Sequence, residues 1–494
     1  MSEFLIRNVR LLDGSGSPWQ RGSLLVQNDK IAAMGNLSVT ADQVIDGEDC
    51  YLTPGFIDIH THGDRGILQF PEAENYLRQG VTTLIGGNCG GSSYPIGMHR
   101  SVVAQIGTSL NYGLLVGHGS IREDVMGMEM RHPTAGEQAR MEALTEAAME
   151  QGALGMSLGL YYTPGSYAKK QEVVGLAKAV AKHHGFISIH MRDESDYNIG
   201  LLASVEEAID IARQAQVPLQ ISHLKCLGKS VWGMAEQVWA LLDAARAEGL
   251  DVSFDQYPYL ASGTSLVGAL LPGWAQAGGP EAMRQRLQNA AVREQLRREM
   301  SANLERRGGP DSLLIAACPA VPSYSGSNLS QIAELLQMEP VDTALAMIES
   351  GPVQIVSFNM QEADLRKIMQ HPLGMIGSDG SLVKFGKDVP HPRYYGTFPR
   401  VLGYYAIQEG VITLAEAVRR MTSAPAARLN LWDRGLLRPG LQADLTLFDG
   451  NTVKDNATFS TPHRYCSGIK MVVVAGRIAL RDGELLDAKA GMIL

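Results

Sequence analysis

His60 and His62 stand one residue apart at the end of the apolar run GFIDIH. On a strand, side chains two residues apart point the same way, so this spacing can aim two imidazoles at one ion. A His-x-His pair alone carries little weight, because such pairs arise by chance. Here four more donors follow similar runs: Cys89 after TTLIGG, His190 in FISIHMR, His223 in PLQISHLK and Asp379 in GMIGSDG. Imidazole, thiolate and carboxylate together suit zinc, with cobalt, manganese or iron as substitutes. Cys89 lies in GGNCGG, where its thiol, read in isolation, is a nucleophile, a turn residue or a metal ligand.

The elements that must position these residues form a recognisable series. From about Thr53 to about Trp432, strand-like apolar runs alternate with helical periods, the pattern of parallel strands joined by helices. Eight runs are expected, at 55–60, 82–87, 112–119, 152–160, 186–192, 218–225, 250–259 and 374–380. Eight parallel units predict a closed, TIM-like (β/α)8 barrel, in which functional groups gather at the C-terminal strand ends. The six donors then share one rim. EQARMEALTEAAMEQ and SVEEAIDIARQAQ read as amphipathic helices, the second with Ser204 as N-cap. The long interval from Leu260 to Leu373 predicts an insertion over the barrel mouth, with a lid at about 260–330. Residues 1–52 and 433–494 alternate apolar and polar residues between turn signals, and are expected to share a small β-sandwich domain.

Composition narrows the function classes. The 494 residues are 45% hydrophobic, enough for a large core, and 43 Lys and Arg against 52 Asp and Glu give a net charge of -9. No basic run appears, which argues against nucleic acid as a partner and for a small-molecule substrate. Glu3, Arg7 and Arg10 interrupt the N-terminal apolar run, so neither a signal peptide nor a membrane span is expected there, and the expected location is cytoplasmic. Cys50, Cys226, Cys318 and Cys466 read as small buried side chains. His99, His132, His183, His184, His371 and His463 read as surface or capping residues, and His118 as a rim residue with a functional or a supporting role.

TPGFIDIHTHGD, GVTTLIGGNCG, GHGSIREDVMG, GMSLGLYYTPGSYA, HMRDESD, ISHLK, DQYPYLASGT, GSDG and HPRYYGTFPRVL occur in that order. They resemble the signature segments of the N-acyl-D-amino-acid deacylases, the D-aminoacylases of the amidohydrolase superfamily. The resemblance covers nearly the whole chain. It implies zinc-dependent hydrolysis of N-acyl-D-amino acids to a carboxylic acid and a free D-amino acid, by metal-activated water with Asp379 as general acid/base. By the same resemblance Cys89, His190 and His223 hold a tight zinc, and His60, His62 and Asp379 a second, weaker site. Tyr162, Lys225, Ser262 and Arg393 are implied to grip the substrate's α-carboxylate, with Ser265 the alternative in the Ser262 segment. The side-chain pocket is expected from the insertion and from residues near Arg192 and Tyr257.

Many related amidohydrolases bridge two metals with a carboxylated lysine at the end of strand four. Here SLGLYYTPG contains none, and the next lysine is Lys169. A thiolate from strand two would replace it. That departure argues against a hydantoinase or dihydroorotase, and the cysteine argues against the mononuclear deaminases. The alternative left open is another amidohydrolase, acting on a cyclic amide or on a dipeptide containing a D residue. A non-catalytic scaffold would be expected to have lost ligands, and all six are retained.

Overall fold

A computed structural model describes residues 3–486 and 489–494. The eight barrel strands are Phe56–Asp58, Val81–Gly86, Asn111–Leu114 continued by Val116–Gly117, Gly155–Gly159, Phe186–His190, Leu219–Ile221, Val252–Gln256 and Gly374–Ile376. Each pairs in parallel with the next. The ring closes just beyond the ends of strands one and eight. There the Asp379 amide donates to the His60 carbonyl at 2.8 Å, and the His62 amide to the Gly380 carbonyl at 2.7 Å. Barrel closure and the placement of three candidate site residues therefore share the same backbone contacts. Strands two and five are buried at every position, as strands covered on both faces must be, which is why they read as continuous apolar runs.

Helices fill the crossovers. Ala135–Glu150 starts with a capping box between Thr134 and Glu137. The helix before strand six begins at Leu201, after Gly200, rather than at Ser204. Asp193 accepts from the amides of Asn198 and Gly200, fixing the N-cap four residues earlier, and Leu201 is buried at 1% exposure, so Ser204 falls inside the first turn. His99 is likewise not on the surface. It is 7% exposed, and its ring bonds the Tyr112 hydroxyl at 3.1 Å.

Both chain ends build one nine-stranded sheet, in which Tyr51–Pro54 pairs antiparallel with Leu445–Phe448 and so joins the N-terminal strands to the C-terminal ones. Only Gly55 separates Tyr51–Pro54 from barrel strand one. The segment after strand seven forms a three-stranded antiparallel sheet, Ser262–Ser265, Leu313–Ala317 and Gln354–Ser357, with helices between them. Gln354–Ser357 is its central strand, so the inserted unit runs well past residue 330; ending it there would remove the middle of its sheet. Its own apolar cluster includes Leu266, Leu296, Met300, Leu345 and Ile355. No helix among the described residues is long and apolar enough to cross a membrane.

Candidate functional site

The turn carrying Cys89 is built from permissive backbone for a steric reason. Cys89 itself has φ of 53°, between Gly87 at 76° and Gly90 at 78°. A Cβ on Gly90 would lie 2.5 Å from the Gly159 amide nitrogen, and one on Gly87 would lie 2.2 Å from the Leu115 carbonyl oxygen. The turn thus packs directly on the end of strand four. Lys169 is exposed at the start of the next helix. Gly90→Ala is expected to destabilise the fold by more than about 2 kcal/mol, because the clash is with backbone and φ is positive. A thermal melt checks this, and an unchanged midpoint would show that the turn yields.

His223 and Asp379 also adopt positive φ, 35° and 50°. Left-handed backbone in a non-glycine residue is uncommon and collects where surrounding structure over-determines it. Here three such residues converge. The Cys89 sulfur lies 3.3 Å from Nε2 of His60 and 3.4 Å from Nε2 of His223. Asp379 Oδ1 lies 3.0 Å from His62 Nε2 and 3.6 Å from His60 Nε2. Two donor groups result, His60, His62, Cys89 and Asp379 in one, and Cys89, His190 and His223 in the other. Cys89 belongs to both.

The donor set fits a metal ion on its own geometry. Zinc bonds of about 2.3 Å to sulfur and about 2.0–2.1 Å to nitrogen, at tetrahedral angles, separate ligand atoms by roughly 3.6 Å, close to the spacings around the Cys89 sulfur. Electrostatics agree. Burial alone pushes the Cys89 thiol up, but His60 and His223 beside it, with hydrogen bonds from His190 and His223, outweigh burial and hold it well below the ordinary thiol range. Burial likewise raises Asp379, and Arg393 with His62, His223 and His60 outweighs it, keeping the carboxylate ionised.

Outer partners orient the imidazoles. Asp255 Oδ1 lies 3.0 Å from His60 Nδ1 and accepts from the His223 amide at 2.9 Å. Glu194 Oε1 lies 3.0 Å from His223 Nδ1 and accepts from Lys225 Nζ at 2.5 Å. Lys225 Nζ lies 2.8 Å from the same Nδ1, so Glu194 and Lys225 together hold the His223 ring with Nε2 turned toward the sulfur. Neither acid was singled out from the sequence. Glu194 lies four residues after His190 and Asp255 at the end of strand seven, and those positions were the available signal.

A cavity of about 1070 Å³ opens above the donors. It is lined by His62, Cys89, His190, His223 and Asp379, and by the four residues implied to bind carboxylate, Tyr162, Lys225, Ser262 and Arg393. His60 alone of the sequence-derived set lies behind the wall, at 0% exposure. Arg393 Nη1 is 2.7 Å from Asp379 Oδ2, its guanidinium lies 4.8 Å from the centre of the Tyr257 ring, and its Nε has no hydrogen-bond partner. His391 accepts from the Arg393 amide through Nδ1 at 3.1 Å and bonds the Ala261 carbonyl through Nε2 at 2.9 Å, so it holds Arg393 against the inserted unit. The Tyr162 hydroxyl bonds Thr264 at 3.1 Å, and its ring centre lies 4.7 Å from that of His190. Ser262 faces Asn359 at 3.5 Å, while the Ser265 hydroxyl caps a short helix by accepting from the Gly268 amide.

Of the residues near Arg192, Glu194 and Tyr197 line the cavity as expected, and of the two roles open to His118 the structure shows the supporting one. Arg192 does not line the cavity; its guanidinium is consumed by Glu207 at 2.9 Å and by the carbonyls of Ser166 and Ala168. His118 is fully buried, 3.0 Å from Glu172, which also pairs with Arg122, so it supports the wall.

A (β/α)8 barrel with His, Cys and Asp donors at the C-terminal rim, beneath a substrate-sized cavity, defines the class of metal-site hydrolase barrels. The amidohydrolase family model matches residues 43–480. The chain is 33% identical to the D-aminoacylase of Alcaligenes xylosoxydans xylosoxydans, with 100% of this chain and 97% of the relative covered. The crystal structure of N-acyl-D-glutamate deacylase from Bordetella bronchiseptica, complexed with zinc and a phosphonate mimic of the tetrahedral intermediate, superposes with a TM-score of 0.85 at 32% identity over 99% of both chains. A D-aminoacylase structure described as having a binuclear metal centre, activated by one metal and attenuated by the second, gives 0.86 at 32% identity over 99% of both. The chain belongs to the amidohydrolase family, in the branch of the N-acyl-D-amino-acid deacylases.

Proposed function

We propose that this protein hydrolyses the amide bond of N-acyl-D-amino acids, releasing a carboxylic acid and a free D-amino acid. The observation that carries the reading is the shared thiolate. Cys89 faces His60 and His223 at one end of the cavity, with Asp379 held between His62 and Arg393 beside it. The activity of the full-length relatives supports the same assignment.

Cys89, His190 and His223 would hold one zinc ion, and His60, His62 and Asp379 a second, weaker one. Bound zinc supplies Lewis acidity, polarising a carbonyl oxygen and making a water acidic enough to deprotonate near neutrality. Asp379 is the residue placed to move protons. Ionised and facing the donor cluster, it accepts a proton from the attacking water and returns it to the nitrogen of the departing amine. Arg393 lines the cavity and, with Nη1 held by Asp379, offers its positive charge and a remaining donor to the α-carboxylate. Tyr162 and Ser262 line the same cavity and complete that end. Lys225 already shares Glu194 with His223, so its contribution is a point charge beside the carboxylate rather than a directed fork.

Discrimination between enantiomers needs three fixed points: the carboxylate, the acyl group and a wall for the side chain. The inserted unit and Tyr257 supply that wall. Incubation with paired N-acetyl-D- and N-acetyl-L-amino acids is expected to release amine from the D series. Release only from the L series, or from neither, would remove the assignment.

A further inference from the structure

Five arginines are buried among the described residues: Arg122, Arg307, Arg393, Arg420 and Arg434. Four pair with a carboxylate, namely Glu172, Asp379, Glu416 and Asp444. Arg307 does not. It follows the inserted helix Ala290–Arg306 and is 2% exposed. Nε donates to the Ala269 carbonyl at 3.1 Å, and Nη2 to the Tyr161 hydroxyl at 2.9 Å. The guanidinium carbon lies 5.2 Å from the centre of the Tyr197 ring. These contacts fix the plane of the group without neutralising it, and Nη1 makes no hydrogen bond.

A guanidinium keeps its charge at any working pH, and a buried charge without a counterion costs several kcal/mol in stability. Such a group faces either water or an anion. Arg307 lines the 1070 Å³ cavity above the metal donors, and also an adjoining cavity of about 780 Å³ between the inserted unit and the barrel. Tyr161, which Arg307 holds, stacks on His190 with ring centres 5.9 Å apart. The unpaired cation is therefore one ring away from a metal donor, in the wall of the substrate cavity, and distinct from the α-carboxylate end built by Arg393, Tyr162 and Ser262.

We propose that Arg307 forms a second anion subsite, which receives a further carboxylate of the substrate besides the α-carboxylate. That carboxylate belongs either to an acidic D side chain or to the far end of a dicarboxylic acyl group. The inference rests on the deacylase reading and deepens it, making the preferred substrate a dianion and placing its selection in the inserted unit.

Two isosteric pairs test it on the zinc-loaded full chain: N-acetyl-D-glutamate against N-acetyl-D-glutamine, and N-succinyl-D-leucine against N-succinamoyl-D-leucine. In one pair kcat/KM is expected to favour the charged member by about tenfold or more. A preference in the first pair locates the carboxylate on the side chain, and in the second on the acyl group. In Arg307→Met the preferred ratio is expected to fall to about one, and a ratio does not depend on how much of the variant folds. Absence of a charged preference in both pairs, seen with the unsubstituted protein alone, overturns the subsite. So does a preference that survives Arg307→Met. If none of the four compounds is hydrolysed, the deacylase reading itself fails, and the subsite with it.

Discussion

Asp379→Asn is expected to fold, to keep metal at Cys89, His190 and His223, and to lose turnover by about 10²–10⁴-fold, the range for removal of a positioned acid/base. Asparagine suits the test because it tolerates the φ of 50° that Asp379 adopts, whereas alanine would add backbone strain. It also preserves the shape facing His62 and Arg393. What it removes is the charge and the ability to take a proton. A cost in stability is expected too, since Arg393 is 3% exposed and would lose its anionic partner. The melting temperature should therefore drop while the circular dichroism spectrum at 25 °C stays native, and substrate carboxylate should restore part of the loss. If kcat stays within about threefold of the unsubstituted protein, well outside the range for a lost acid/base, Asp379 is not the proton carrier.

Much of this site was legible because barrel strands buried on both faces read as apolar runs ending in glycine or a polar residue, so donors at those ends were conspicuous. His190 closes strand five, and Cys89, His223 and Asp379 lie within three residues of strands two, six and eight. The partners that orient them were not legible. Asp255 and Glu194 are ordinary acids in sequence, and only the closed ring brings them to His60 and His223. Arg307 belongs to the same class, since its lack of a counterion is a property of packing. The errors have the same origin. Ser204 fits an N-cap by residue type, but Asp193 starts the helix earlier by binding the loop amides. The inserted unit stays within the expected interval but passes the expected lid limit of about 330, because a central strand can come from the far end of a segment.

Cys89→Ala is the change expected to reach furthest, because the sulfur is the one donor common to both candidate groups. Zinc content of the purified variant, measured by elemental analysis, is expected to fall well below that of the unsubstituted protein, with turnover falling alongside it. The physical reason is charge as well as geometry. The thiolate is the anion that His60 and His223 face, and strand four offers no lysine to replace it. Without it, His190 and His223 are two neutral donors, which hold zinc far less tightly than a set including sulfur. Cys89→Ser separates size from chemistry, since the hydroxyl keeps the shape of the turn but stays protonated, so it too should lose zinc. Alkylation gives a readout independent of activity: with metal bound the thiol should resist iodoacetamide, and after chelation it should react quickly, because a thiol held well below its ordinary pKa is largely thiolate. A variant with unchanged zinc content would end the ligand assignment, and would return Cys89 to the other two roles open to a thiol on a glycine turn.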